Sequence, residues 1–350
     1  MRLPPDLPSD LRAALDKLAH GMSRKVIAER AAAQSRNYRA GGGSRGIATA
    51  GDVLAYAFAR LPATYAAVAA VFNAMRETLP ALRPCTMLDV GAGPGTAAFA
   101  AVRAFATLGH MRLIDANAGL RQLALTLMAE ADSDTLRRVA DGQSYRHGNA
   151  LMLLDGNEPA DLVVASYVAG EIADSELAHF TQRLWDTTAG ALVVIEPGTP
   201  DGHRRVLRMR GEAIAAGAHV AAPCPHGRTC PLRAPDWCHF AQRLPRSRDH
   251  LRVKGAEVPF EDEKFSYVVL ARDQPQSIDA RVLAPPKIQK AAATTKLCTA
   301  GGIVADIAAR RDADSYRRRK SWRWGDGVFR GNDGELNLPD RSRDKLGGDF

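Results

Sequence analysis

Residues 87–96 read Met-Leu-Asp-Val-Gly-Ala-Gly-Pro-Gly-Thr: an apolar strand, a glycine-rich turn, then helix-forming sequence. No other stretch of the chain restricts the fold so strongly. Glycine adopts left-handed dihedrals without steric cost and lets the backbone approach a ligand that a Cβ would block. The helix that follows offers free N–H groups at its start. Strand, turn and helix in this order open doubly wound α/β folds. From Thr86 onward short β-rich runs alternate with helical stretches, the pattern of parallel βαβ units. Strands are expected at 86–90, 111–115, 162–166 and 192–195, with a later one at 265–270. Helices are expected near 96–108, 120–130 and 175–185.

Three features narrow the ligand. Asp89 stands two residues before Gly91, where methyltransferases place an acid near the methionine end of their cofactor. Asp115 ends the next strand, about 20 residues after Gly95, where an acid bonds ribose hydroxyls in doubly wound nucleotide folds. Asn149, after Gly148, falls where an Asp or Asn often faces adenine. With Gly91, Gly93 and Gly95 these residues point to S-adenosylmethionine on a class I (Rossmann-like) methyltransferase domain; NAD on the same architecture is the competing reading. On the acceptor side the fourth strand runs into Ser166, Tyr167 and then Glu171, the candidate catalytic residues. Amine-methylating enzymes often carry a polar–Pro–Pro–aromatic turn here; this chain has the serine and the aromatic without the prolines. Methylation at a pyrimidine carbon needs a cysteine nucleophile, and neither 166–167 nor 196–198 holds one.

The flanks divide the chain further. Residues 1–80 read as helical: Ser9 or Asp10 can cap a helix with Leu11, Leu15 and Leu18 on one face. A second helix is expected through 25–33, then two more separated near Pro62. Tyr65, Val68, Phe72 and Met75 recur at helical spacing and read as core. Residues 81–200 form the methyltransferase core, completed by a strand within 262–272. Residues 201–261 read as a Cys-rich, metal-binding insertion, 273–330 as a small basic C-terminal extension, and 331–350 as a polar, Gly-rich tail without fixed structure. No apolar run is expected to reach the roughly 18 residues of a membrane span. The opening residues resemble neither a signal peptide nor an Arg-rich, acid-poor transit peptide, so the expected compartment is the cytoplasm.

Four of the five cysteines follow residue 220. Cys224, Cys230 and Cys238 lie close together, and Cys298 lies sixty residues beyond Cys238. Clustered thiols outside an oxidising compartment read as metal ligands before disulfides. Four thiolates suit either tetrahedral zinc or an iron–sulfur cluster, and His226 and His239 read as hydrogen-bond donors beside them. Cys85 reads as an ordinary core cysteine. The net charge of +8 favours an anionic partner. Residues 310–330 hold eight Arg or Lys against three Asp, and a second basic stretch spans 243–254. Trp322 and Trp324 read as packing the tail rather than stacking on bases.

Trp237, Cys238, His239 and Phe240, then Lys254 and Gly255, then Glu261, Asp262, Glu263, Lys264 and Phe265 form strings in which the chain resembles the Rsm-type small-ribosomal-subunit methyltransferase-like family. Weaker matching strings lie at 60–65, 166–168 and 196–200, so the resemblance spans roughly residues 45–325. Bacterial members are called predicted ribosomal-RNA methylases, and mitochondrial ones are methyltransferase-like proteins of small-subunit assembly. The resemblance implies a [4Fe-4S] cluster on Cys224, Cys230, Cys238 and Cys298, and partnership with the small ribosomal subunit and its rRNA, with no membrane or DNA. It implies rRNA methylation, assembly, or both. The alternatives are a non-catalytic RNA-binding assembly factor and a small-molecule methyltransferase with structural zinc.

Overall fold

The computed structural model describes residues 2–339 apart from 19, 21, 22, 40, 41, 247, 255 and 333. Three helices precede the sheet: α1 (Ser9–Leu18), α2 (Arg24–Arg39) and α3 (Ala50–Thr78). Thr49 and Asp52 close a reciprocal capping box at the start of α3, and Arg30 donates to both side chains. α3 runs unbroken through Pro62, where two helices were expected. An internal proline costs about 3 kcal/mol. Here Leu61, Tyr65, Val68, Phe72 and Met75 are fully buried, each worth roughly 1.5–3 kcal/mol, so packing overrides the local break. By length and composition α3 is also apolar enough to cross a membrane, contrary to the sequence expectation. Yet 67% of its most apolar stretch is buried inside the protein.

The core alternates as expected: β1 (Thr86–Val90), α4 (Thr96–Ala104), β2 (His110–Asp115), α5 (Ala118–Ala129), α6 (Asp134–Val139), β3 (Tyr145–His147), α7 (Ala150–Leu154), β4 (Ala160–Ser166), α8 (Leu177–Asp186) and β5 (Thr188–Pro197). There follow α9 (Pro200–Ala215), β6 (His219–Ala222), β7 (Phe240–Pro245), α10 (Arg248–Lys254) and β8 (Phe260–Ala271). The strand order is β3-β2-β1-β4-β5-β8-β6. The first five strands are parallel; β8 runs antiparallel to both β5 and β6. Alternate residues face opposite layers: Val193 and Ile195 meet the α3 side, Leu192 and Val194 the α9 side.

Residues 201–261 are therefore not an insertion as a whole. α9 is capped by Thr199 and buries Val206, Met209 and Ala213 against the sheet, while β6 and β7 pair with β8. The polar composition of 201–261 hid these apolar faces. The long β6–β7 connection lacks helix and strand among its described residues, and it carries Cys224, Cys230 and Cys238.

Residues 280–337, expected as a loose basic extension and tail, form a second sheet: β9 (Ala280–Val282), β10 (Lys287–Ile288), β11 (Ala292–Thr299), β12 (Gly302–Ala309), β13 (Gly327–Arg330) and β14 (Leu336–Asn337), with α11 (Ala313–Ser321) across it. Ala280, Val282, Leu297, Trp322 and Val328 make its small core. The expectation for 340–350 lies outside the described residues.

Candidate cofactor site and four-cysteine cavity

The glycine turn between β1 and α4 has Gly91, Gly93 and Gly95 all at positive φ, between 53° and 74°. Gly91 is further constrained: a Cβ there would stand 2.5 Å from Val168. The turn is held from both sides. The Gly93 N–H donates to Asp115 Oδ2 at 2.8 Å, and the Tyr145 hydroxyl donates to the Gly93 carbonyl at 2.5 Å. Asp115 Oδ1 accepts from the Asn117 N–H at 2.6 Å. Burial pushes the Asp115 carboxyl up and the two backbone donors pull it back.

Asp89 is fully buried with both carboxyl oxygens unpaired. Burial, with the nearby Asp115 charge second, pushes its pKa up to about 8. An unpaired carboxylate is costly in an apolar interior, so this is a place where a cationic or hydrogen-donating ligand group is favoured. Asn149, expected to face adenine, caps α7: its Oδ1 accepts from the Leu151 N–H at 2.9 Å, and the residue is exposed.

The three acceptor-side candidates are brought to one end of β4, but two of them are engaged structurally. Tyr167 is the one non-glycine residue with positive φ among the described residues (φ 58°). Its hydroxyl donates to Glu263 Oε1 at 2.9 Å, and Arg60 Nη2 donates to the same oxygen at 2.9 Å. Burial, then the Glu263 charge, raises the Tyr167 phenol well above its ordinary value. The Glu171 carboxylate accepts from the Ser44 N–H at 2.8 Å and the Ser44 hydroxyl at 2.9 Å. Asn117 Nδ2 donates to the Ser44 and Ile47 carbonyls, so the α2–α3 connection is fastened across the carboxyl ends of β2 and β4. Ser166 is half-buried. Sequence reasoning missed Arg60, Glu263, Tyr145 and Ser44, whose partners lie 52 to 203 residues away in the chain.

Cys224, Cys230, Cys238 and Cys298 line a single cavity. Among the described residues no three His, Cys, Asp or Glu side chains converge closely enough to hold a metal ion as they stand; the expected metal centre is not seen as a formed site. The expectation had three close thiols in the insertion and a fourth from the C-terminal extension; all four line this cavity, with β11 bringing Cys298 to the β6–β7 connection. Burial raises the Cys238 thiol well above its ordinary value, with the other three cysteines adding to it. Burial likewise pushes Cys298 up to about 12. His226 Nε2 lies 3.9 Å from Cys298 Sγ, whereas His239 stacks on Trp237 with ring centroids 5.0 Å apart. Cys85, expected in the core, is exposed at the start of β1.

Much of the positive charge is internally paired. Arg243 binds Asp262; Arg246, His250 and Lys254 surround Glu261. Burial raises the Glu261 carboxyl, but His250 and Lys254 outweigh it and bring the group down to about 2. Trp322 is buried, as expected.

The strand order, the antiparallel β8 and the glycine turn after β1 define a class I methyltransferase fold. The chain belongs to the family described as Mitochondrial small ribosomal subunit Rsm22, which matches residues 50–329. It is 28% identical over 301 residues to Ribosome assembly protein METTL17, mitochondrial, of Homo sapiens, covering 79% of this chain and 62% of that one. It is 25% identical over 249 residues to Rsm22-cox11 tandem protein 2, mitochondrial, of Schizosaccharomyces pombe, covering 63% and 32%. The chain thus spans less than two-thirds of either relative's length. Among solved structures it is similar to an O-methyltransferase family protein from Burkholderia thailandensis, with TM-score 0.43, 13% identity and 73% of each chain covered. The cytoplasmic expectation is corrected by these names. The family and both relatives are called mitochondrial, which points to mitochondria rather than cytoplasm.

Proposed function

We propose that this protein is an S-adenosylmethionine-binding factor of small-ribosomal-subunit assembly, with a [4Fe-4S] cluster held by Cys224, Cys230, Cys238 and Cys298. The observation that carries cofactor binding is Asp89: a buried carboxyl with two unpaired oxygens on the strand that enters the glycine turn. The methionine ammonium of the cofactor supplies the missing partner, Asp115 accepts from the ribose, and the N-terminus of α4 faces the ligand. The family match and the relative named as a ribosome assembly protein support the small subunit as partner, its rRNA being the polyanion that the exposed arginines suit.

Within this reading, assembly is favoured over methyl transfer. A general base must reach the proton it removes. The Tyr167 hydroxyl and the Glu171 carboxylate are both committed to holding the fold together, which leaves Ser166 as the residual candidate. For the cluster, the support is donor chemistry: four thiols line one cavity, three half-buried ones from the β6–β7 connection and the buried Cys298 from β11. A bound cluster would tie the β6–β7 connection to β11, and zinc is the alternative occupant.

The test is to measure cofactor binding by calorimetry, and tritiated methyl incorporation into immature small-subunit particles, on the same preparation. Binding without incorporation supports an assembly factor. Incorporation lost in Ser166→Ala would make it an rRNA methyltransferase, and absence of binding would sink the cofactor reading. Iron, sulfide and zinc assayed on protein purified without oxygen decide between cluster and zinc.

A further inference from the structure

Two arginines from different elements line the four-cysteine cavity, and each keeps one buried N–H group that no backbone carbonyl accepts. Arg210, on α9, is 5% exposed; its Nη2 donates to the carbonyls of His226 (2.8 Å) and Arg228 (2.9 Å). Its Nε is buried and unpaired. Arg281, on β9, is 1% exposed; its Nε donates to the Pro223 carbonyl at 2.8 Å and its Nη1 to the Gly325 carbonyl at 2.9 Å. Its Nη2 is buried and unpaired. Arg281 is also the cross-strand partner of Cys298 in the β9–β11 ladder, and directly opposed residues project from the same face of a sheet.

Burying a guanidinium costs several kcal/mol unless an anion compensates it. The acceptors of Arg210 are neutral carbonyls. The nearest carboxylate to Arg281 is Glu77, 3.9 Å away and shared with Arg2. What both arginines do face is the thiols: they line the same cavity as the four cysteines, and Arg281 stands opposite Cys298 across the β9–β11 ladder. Four thiolates around a cubane core leave a net double negative charge, which two guanidinium groups match.

We propose that Arg210 and Arg281 are positioning residues for the group bound by the four cysteines, offsetting its negative charge and raising its reduction potential. The proposal rests on the cluster reading of those cysteines. A cation held in a low-dielectric interior favours the more negative, reduced state, and net charge and hydrogen bonds to sulfur are what set cluster potentials. Their hydrogen bonds to the carbonyls of 223, 226 and 228 also fix the loop that carries Cys224 and Cys230.

The test compares wild type, Arg210→Lys, Arg210→Gln, Arg281→Lys and Arg281→Gln, each purified anaerobically as the full chain. Iron and sulfide content, circular dichroism and a dye-mediated redox titration are measured on every sample. The expected result is a negative shift of the midpoint potential in each Gln variant, with the Lys variants closer to wild type. If Arg281→Gln fails to fold, the Arg210 pair still decides. Full iron content with an unchanged potential in Arg210→Gln and in whichever Arg281 variants fold would overturn this proposal while leaving the cluster in place. A wild-type chain that carries zinc and no sulfide would instead remove the cluster reading, and this inference with it.

Discussion

The Asp115 carboxylate accepts a 2.8 Å hydrogen bond from the Gly93 N–H, so the acid at the end of β2 helps to build the glycine turn at the end of β1. The same side chain accepts from the Asn117 N–H just before α5. Replacing it with alanine leaves two N–H groups without their acceptor, and each buried loss costs about 1–3 kcal/mol. Asp115→Ala is expected to lower stability by at least ~2 kcal/mol in urea denaturation and to abolish measurable S-adenosylmethionine binding. Asp115→Asn keeps one carbonyl acceptor and should fall between. Wild-type stability in Asp115→Ala would show that the turn stands without it.

Asp89 gives the ligand-free protein a pH dependence of unusual sign for a carboxylate. Its pKa rises from 3.8 in the unfolded chain to about 8 in the fold. Between those values the folded state holds a proton that the unfolded state has lost, so raising the pH favours unfolding. This contribution is fully present below about pH 4 and is lost as pH climbs through about 8. The slope approaches ~1.4 kcal/mol per pH unit. Denaturation midpoints taken from pH 6 to 9 should therefore decline in wild type and flatten in Asp89→Asn. Parallel curves for the two proteins would mean that Asp89 is ionised in the fold.

Gly91 and Gly95 share a left-handed backbone but not the same neighbours. A non-glycine residue there is strained by about 1–2 kcal/mol. At Gly91 the new methyl meets Val168 at its Cβ and Cγ2, 2.6 and 2.5 Å away. That branched side chain is fixed near its backbone. At Gly95 the first obstacle is the terminal methyl of Met128, the movable end of an unbranched chain. Gly91→Ala is expected to cost ~1–3 kcal/mol more than Gly95→Ala. The comparison is a pair of urea titrations on the full chain, and equal losses would contradict it.

The legibility of this chain follows sequence separation. Wherever a pattern is local it could be read: β1 begins and ends where expected, and the Tyr65, Val68, Phe72 and Met75 stripe is buried. The cofactor glycines sit in the turn their spacing demands. Reading failed where distant packing decides. Pro62 looks like a helix break until the helix is surrounded. Residues 280–337 looked loose because their polar, basic composition masks the strands, and their core needs Trp322 brought back across them by α11. Asn149 and Glu171, expected in the site, carry structural hydrogen bonds: Asn149 accepts from the Leu151 N–H and Glu171 from Ser44. Arg210 and Arg281 carry no sequence signal, since the thiols they approach come from other elements.

The basic helix α11 separates structural from available charge. Arg319 is 6% exposed and bonded to Asp306 at 2.9 Å and Glu335 at 2.8 Å. Its ring contact with Trp322, 5.0 Å to the centroid, joins it to the second core. Removing Arg319 takes the ion-pair partner from Asp306, while the 39% exposed Glu335 keeps Arg318 at 3.5 Å; with that screening the loss is about 1–3 kcal/mol. Arg317, two residues earlier and therefore on the opposite side of the helix, points outward with 78% of its side chain exposed and pairs with Asp314 across i,i+3. Exposed pairs of that kind contribute about 0–1 kcal/mol, and polyanion binding replaces them readily. Arg319→Ala is therefore expected to destabilise the second sheet, while Arg317→Ala leaves stability within ~0.5 kcal/mol. Against a small-subunit rRNA fragment the order reverses. Arg317→Ala should weaken binding and lower the dependence of affinity on salt by about one counterion, with its fold unchanged. Equal salt slopes in wild type and Arg317→Ala would place the RNA-facing charge elsewhere on the molecule.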